Sequence, residues 1–105
     1  MCRLLGYTAP NPTTFNDVVG ANFDQFVNLA NDHCDGWGIA TTSNHKADLY
    51  KEPVAATKSA HFKEALASHK SNAALLHLRW ATEGMPINEA NTHPFTYQDI
   101  TFIHN

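Results

Sequence analysis

Two groups of residues in this 105-residue chain have the types and spacing to do chemistry. The first is Cys2, in the opening Met1-Cys2-Arg3-Leu4-Leu5-Gly6-Tyr7. Removal of Met1 would leave a thiol and a free α-amine on one residue, a nucleophile beside its own base. The competing reading of Cys2 is a small, buried apolar residue at the start of a strand. The second group is the run His77-Leu78-Arg79-Trp80-Ala81-Thr82-Glu83-Gly84. A strand that ends in Arg-Trp and opens into a Thr/Gly loop presents a guanidinium, an aromatic wall and a hydroxyl at one sheet edge. Such a set can hold a carboxylate, because Arg offers a two-pronged donor and Thr a further one. A structural ion pair for Arg79 and a core position for Trp80 would explain the same residues. Asn105 follows Phe102-Ile103-His104 at a strand end, where its amide can serve a developing oxyanion or simply form a turn. The chain's histidines invite a metal reading, but His33, Cys34, Asp35, His77, His93 and His104 fit no compact zinc spacing and Cys34 has no CxxC partner. Neither a metal nor a cofactor is expected.

The elements that must position these residues read as follows. Residues 3–7 form a short strand with Leu4 and Leu5 both buried, ended by Pro10, Asn11 and Pro12. Phe15, Val18, Val19, Phe26, Val27 and Ala30 recur at helical spacing to about Asn31, behind a weak capping box of Thr14 and Asp17. Asp32 to Gly38 is a polar turn feeding a strand at 39–42, Ser43-Asn44-His45-Lys46 has hairpin composition, and 48–51 is the return strand. A second amphipathic helix is expected over 59–70, a buried strand over 73–79 and a last strand over 100–103. The loop from 81 to 94 is long enough to need a function. Helices packed on a sheet, an α+β arrangement, follow from this order.

Composition bounds the function. At 43% apolar and 16% charged residues the chain is a globular domain with one core, and a net charge of -3 with no basic stripe argues against nucleic acid. There is neither a membrane span nor a signal-peptide pattern, and two cysteines make no disulfide framework, so a cytoplasmic location is the expectation.

Five motifs in order, Met1 to Gly6, Asp35-Gly36-Trp37-Gly38-Ile39-Ala40, His77 to Gly84, Asn91-Thr92-His93-Pro94-Phe95 and His104-Asn105, resemble the class II glutamine amidotransferase domain. The likeness is greatest to its stand-alone branch, which includes γ-glutamyl amide hydrolases of thiol-histidine biosynthesis. The resemblance implies an N-terminal-nucleophile hydrolase fold, an αββα four-layer sandwich. A sandwich of that kind takes roughly twice this length, so residues 1–105 read as the N-terminal part, about the first half, of a single such domain, and on their own they are expected to be inactive.

The resemblance also implies roles. Cys2 would attack the side-chain amide of glutamine or a γ-glutamyl compound, pass through a thioester and release ammonia or an amine. Asn105 would stabilise the oxyanion, Arg79 and Thr82 would hold the substrate carboxylate, and Trp80 would wall the pocket. Asp35 and Gly36 would form the supporting turn packed beside the nucleophile, and His93 would help shape the wall. The expected partners are the small-molecule substrate and either a synthetase or a second copy of the chain. A non-catalytic module that binds a glutamine-like ligand is the alternative. The sequence departs from the pattern at Glu83, where the best-known members carry a histidine, and a carboxylate pointed inward there would repel the substrate's own. In the family the chain continues past His-Asn into a glycine whose N–H is the second oxyanion donor.

Overall fold

Two largely buried central strands between two more exposed edge strands, with aromatic anchors on short helices, build one sheet with helices on one of its faces. The structure is a computed structural model and describes residues 1–43 and 45–105. Its elements are β1 (Arg3–Thr13), α1 (Phe15–Val19), α2 (Phe23–Asn28), β2 (Trp37–Ser43), β3 (Lys46–Glu52), α3 (Ala60–Ser68), β4 (Ser71–Leu78), β5 (Phe95–Tyr97) and β6 (Ile100–Phe102). The first four strands to pair are antiparallel in the order β1-β4-β2-β3, and β5-β6 forms a separate two-stranded sheet. This is an α+β arrangement with antiparallel sheets.

Register decides what faces what. Trp37 pairs with Leu78 and Ile39 with Leu76, so these four share one face, and they form the buried cluster with Phe15, Phe23 and Phe62 of the three helices. The intervening pairs, Gly38 with His77 and Ala40 with Leu75, take the opposite face because side chains alternate along a strand. Trp37 and Phe62 meet edge to face at 5.1 Å, and Ser59 caps α3 by accepting from the Phe62 N–H at 3.0 Å.

Several boundaries differ from those the sequence suggests. The first strand runs to Thr13 through Pro10 and Pro12 instead of stopping after Tyr7, and Leu4 and Leu5 are half-buried. Those prolines are tolerated because β1 is an edge strand whose register breaks between Thr8 and Thr13. Asn72 Nδ2 donates to Ala9 O and Pro10 O at 3.1 Å, bonds that the ladder no longer supplies. The long helix expected to Asn31 is two short helices joined by a 3-10 turn, since Gly20 adopts φ +70°, outside the helical region. Thr14 does cap α1, its Oγ1 accepting from the Asp17 N–H at 3.2 Å. The hairpin is present as β2 and β3, paired from Trp37↔Glu52 to Ser43↔Lys46, although Asn44 of its turn lies outside the described residues. Strand β5 carries no pattern long enough to read. Among the described residues no helix is long and apolar enough to cross a membrane.

Candidate functional site

Antiparallel pairing puts the start of β1, the end of β4 and the start of β2 side by side: Arg3 lies opposite Leu78, and Leu78 opposite Trp37. The residues just beyond those ends, Cys2, Arg79-Trp80 and Asp35-Gly36, are therefore brought together by sheet geometry alone. Backbone bonds extend the ladder past the strands, with Arg79 N–H donating to Gly36 O at 2.8 Å and Asp35 N–H donating to Arg79 O at 3.1 Å. Gly36 has φ +154°, and a Cβ there would press on Thr92 Cγ2 at 3.1 Å and Glu52 O at 3.2 Å, so glycine suits this turn.

A groove of about 640 Å³ opens over this corner. Cys2, Arg79, Trp80, Thr82, His93 and Asn105 all line it. Asp35 and Gly36 stand behind it. The Asp35 carboxylate accepts from the Ala81 N–H at 2.7 Å and so fixes the bend that follows Trp80. Glu83 is exposed and does not line the groove, so its carboxylate stays out of the site.

The Cys2 thiol is bracketed by one residue's backbone: Trp80 N–H donates to Sγ at 3.4 Å, and Sγ donates to Trp80 O at 3.7 Å. Cys2 N–H donates to Asn105 Oδ1 at 2.8 Å. That bond fixes which end of the Asn105 amide faces Cys2 and leaves Nδ2 as a donor. Arg79 is buried at 5% exposure; its Nη2 donates to Pro86 O at 3.1 Å, while Nη1 has no partner among the described residues. A buried guanidinium nitrogen left unpaired is costly unless something else satisfies it. The Trp80 ring is half-exposed, with buried His33 behind it at 5.4 Å.

His77 and His104 also line the groove, and neither was given a role by the sequence. With His93 they form a packed set, His77 on His93 at 4.2 Å and His93 on His104 at 4.3 Å. Burial first, then the neighbouring cationic groups, lowers His77 and His93 each to about 4, so both rings are neutral at pH 7. No signal in the sequence alone marks His77; register pairs it with Gly38, the position in β2 with no side chain to fill that face. A Cβ on Gly38 would lie 2.6 Å from Pro94 Cδ and 2.7 Å from the His93 carbonyl carbon, so the His93-Pro94 segment rests directly on the sheet. Lys51 of β3 holds the same segment, donating to Thr92 O at 2.9 Å and Pro94 O at 3.1 Å. Among the described residues, no group of three His, Cys, Asp or Glu is arranged to hold a metal ion.

Chemically the groove combines a thiol, a buried cation, an aromatic wall and an amide donor, which suits an acyl compound bearing a carboxylate. Comparison with known proteins points the same way. The sequence model of the family described as glutamine amidotransferases class-II matches residues 1–105. A Haemophilus influenzae protein named by inference as a glutamine amidotransferase is 33% identical over 113 residues, covering 100% of this chain and 37% of the relative. A Saccharomyces cerevisiae protein, likewise named by inference as a glutamine amidotransferase, is 26% identical over 122 residues, covering 100% of this chain and 34% of the relative. An uncharacterised Methanocaldococcus jannaschii protein is 32% identical over 118 residues, with 100% and 30% covered. The chain thus spans about a third of the length of the curated relatives it matches.

Proposed function

The chain belongs to the class II glutamine amidotransferases, and from that membership we propose that it carries the nucleophile half of a site that hydrolyses the side-chain amide of glutamine or a γ-glutamyl compound. The observation that carries this reading is the contact of Cys2 N with Asn105 Oδ1 at 2.8 Å in the groove that Arg79 lines.

Once Met1 is removed, the Cys2 nitrogen is an α-amine. With an ordinary value near 8, roughly a tenth of it is free base at pH 7. The amine takes the thiol proton, and Sγ attacks the substrate's amide carbon. The carbonyl electrons move to oxygen, where Asn105 Nδ2 donates to the oxyanion, an interaction worth roughly 3 kcal/mol in the transition state. The intermediate collapses, the C–N bond breaks, and the α-ammonium returns its proton to the departing ammonia or amine. Water, deprotonated by the same amine, then opens the thioester and frees the γ-carboxylate and the thiol.

Arg79 holds the substrate's α-carboxylate; its unpartnered Nη1 supports that role. Thr82 adds a hydroxyl and Trp80 closes the wall. Asp35, Gly36 and His93 support the loops that carry them. In this reading residues 1–105 are the N-terminal part of an αββα four-layer domain. Its second sheet begins with β5 and β6, whose Tyr97 and Ile100 side chains are exposed at 69% and 63%.

The test is ammonia release from L-glutamine and from a γ-glutamyl amide by the full-length protein, the full chain of which residues 1–105 are a part in this reading, with Cys2→Ala as control. Turnover in the wild type that is lost in the variant is expected. Binding without turnover, with Met1 retained, would instead identify a non-catalytic module.

A further inference from the structure

His104 precedes the amide donor, and both of its backbone polar groups are held by imidazoles. Its N–H donates to His93 Nδ1 at 3.2 Å, and its C=O lies 3.2 Å from His77 Nε2. The two bonds fix the tautomers. An Nδ1 that accepts carries no proton, so neutral His93 is protonated on Nε2. A carbonyl only accepts, so His77 must also be protonated on Nε2. We propose that His77 and His93 are a pair of positioning residues that clamp the His104 backbone by its N–H and its C=O, and thereby aim the Asn105 amide at the reacting carbonyl. This rests on the assignment of Asn105 as the oxyanion donor.

The clamp is itself held rigidly. Lys51 grips the carbonyls on either side of His93, and Gly38 leaves that segment no gap above β2. His77 sits mid-sheet, fully buried, with its register fixed by Gly38 on one side and Leu4 on the other. Neutrality is built in as well. Burial opposes charge on both rings first, and the Arg79 guanidinium at the end of β4 faces both, while the Lys51 ammonium from β3 faces His93 and the His104 imidazole packs beside the pair. A proton on His93 Nδ1 would abolish its acceptor and release the His104 N–H.

Four variants of the full chain, assayed with L-glutamine, test the clamp: His93→Leu, His93→Asn, Asn105→Ala, and His93→Leu combined with Asn105→Ala. Loss of an oxyanion donor costs about 10²–10³ in kcat. His93→Leu, which only misaims it, is expected to lower kcat about tenfold with KM within about twofold. His93→Asn places an amide oxygen near the Nδ1 position and is expected to restore most of that loss. In the Asn105→Ala background His93→Leu should cost nothing further. An equal loss with and without Asn105, or His93→Asn as damaging as His93→Leu, would overturn the clamp. Wild-type kcat in Asn105→Ala would instead overturn the role given to Asn105. Imidazole nitrogen NMR of the wild-type full chain needs neither turnover nor a stable variant. It should find both rings neutral at pH 7 with bare Nδ1, and a proton on His93 Nδ1 would refute the proposal.

Discussion

Gly38→Ala changes one hydrogen to a methyl group on β2, away from the thiol. The added carbon would lie 2.7 Å from the His93 carbonyl carbon and 2.6 Å from Pro94 Cδ, and closer still to the His93 carbonyl oxygen. An ordinary carbon contact is about 3.5–4.0 Å, so the His93-Pro94 backbone must lift by roughly 1 Å or more. It cannot do so freely, because Lys51 binds the carbonyls of Thr92 and Pro94. Overpacking of this kind costs about 1–3 kcal/mol. The displacement passes through His93 and His104 to Asn105, and a misplacement of about 1 Å at a reacting group can cost on the order of 10²-fold in rate. The assay is kcat for ammonia release from L-glutamine by the full chain, with the urea midpoint measured in parallel. A fall of about 10²-fold in kcat with a lower midpoint is expected. Wild-type kcat and midpoint in Gly38→Ala would show that neither the fold nor Asn105 depends on the close approach of the His93-Pro94 segment to β2.

Asp35→Ala removes the acceptor of the Ala81 N–H and should destabilise the chain by about 1–3 kcal/mol, whereas Asp35→Asn keeps an acceptor and should cost less; urea unfolding compares them. Arg79→Lys keeps the charge but not the two-pronged donor, so kcat/KM should fall at least about tenfold, chiefly through KM, in steady-state kinetics. Stability should fall as pH drops from 6.5 toward 4. In that window the unfolded chain protonates His77 and His93 while the folded chain, with both near 4, does not. The slope is about 1.4 kcal/mol per pH unit for each ring so affected, read from urea midpoints against pH. The exposed His61, raised by its hydrogen bond to Glu52, works in the opposite direction, with stability lost as pH rises through its folded value.

The candidate site is legible in the sequence as far as its residues sit at strand ends. Cys2 precedes β1, Arg79 follows β4, and Asp35-Gly36 precedes β2, so recognising the strands nearly suffices to bring them together. Asn105 is legible as an amide at a strand end, with the motif resemblance deciding between donor and turn, and His93 through that resemblance; all of these but Asp35 and Gly36 line one groove. His77 was hidden because a histidine inside an apolar strand reads as one more buried position. Its meaning appears only when register sets it across from Gly38 and under His93. At Gly20 and along β1 through Pro10 and Pro12 the structure departs from the sequence pattern for a related reason. Local propensity is overruled there by a positive φ in one case and by an edge position in the other.

The most direct measurement is labelling of the full chain with a γ-glutamyl diazoketone inactivator, followed by intact mass and peptide mapping. Loss of Met1, one adduct per chain on Cys2, and none on the exposed Cys34 are expected. An adduct on Cys34 alone, or inactivation with Met1 still attached and Cys2 unmodified, would contradict the role given to Cys2.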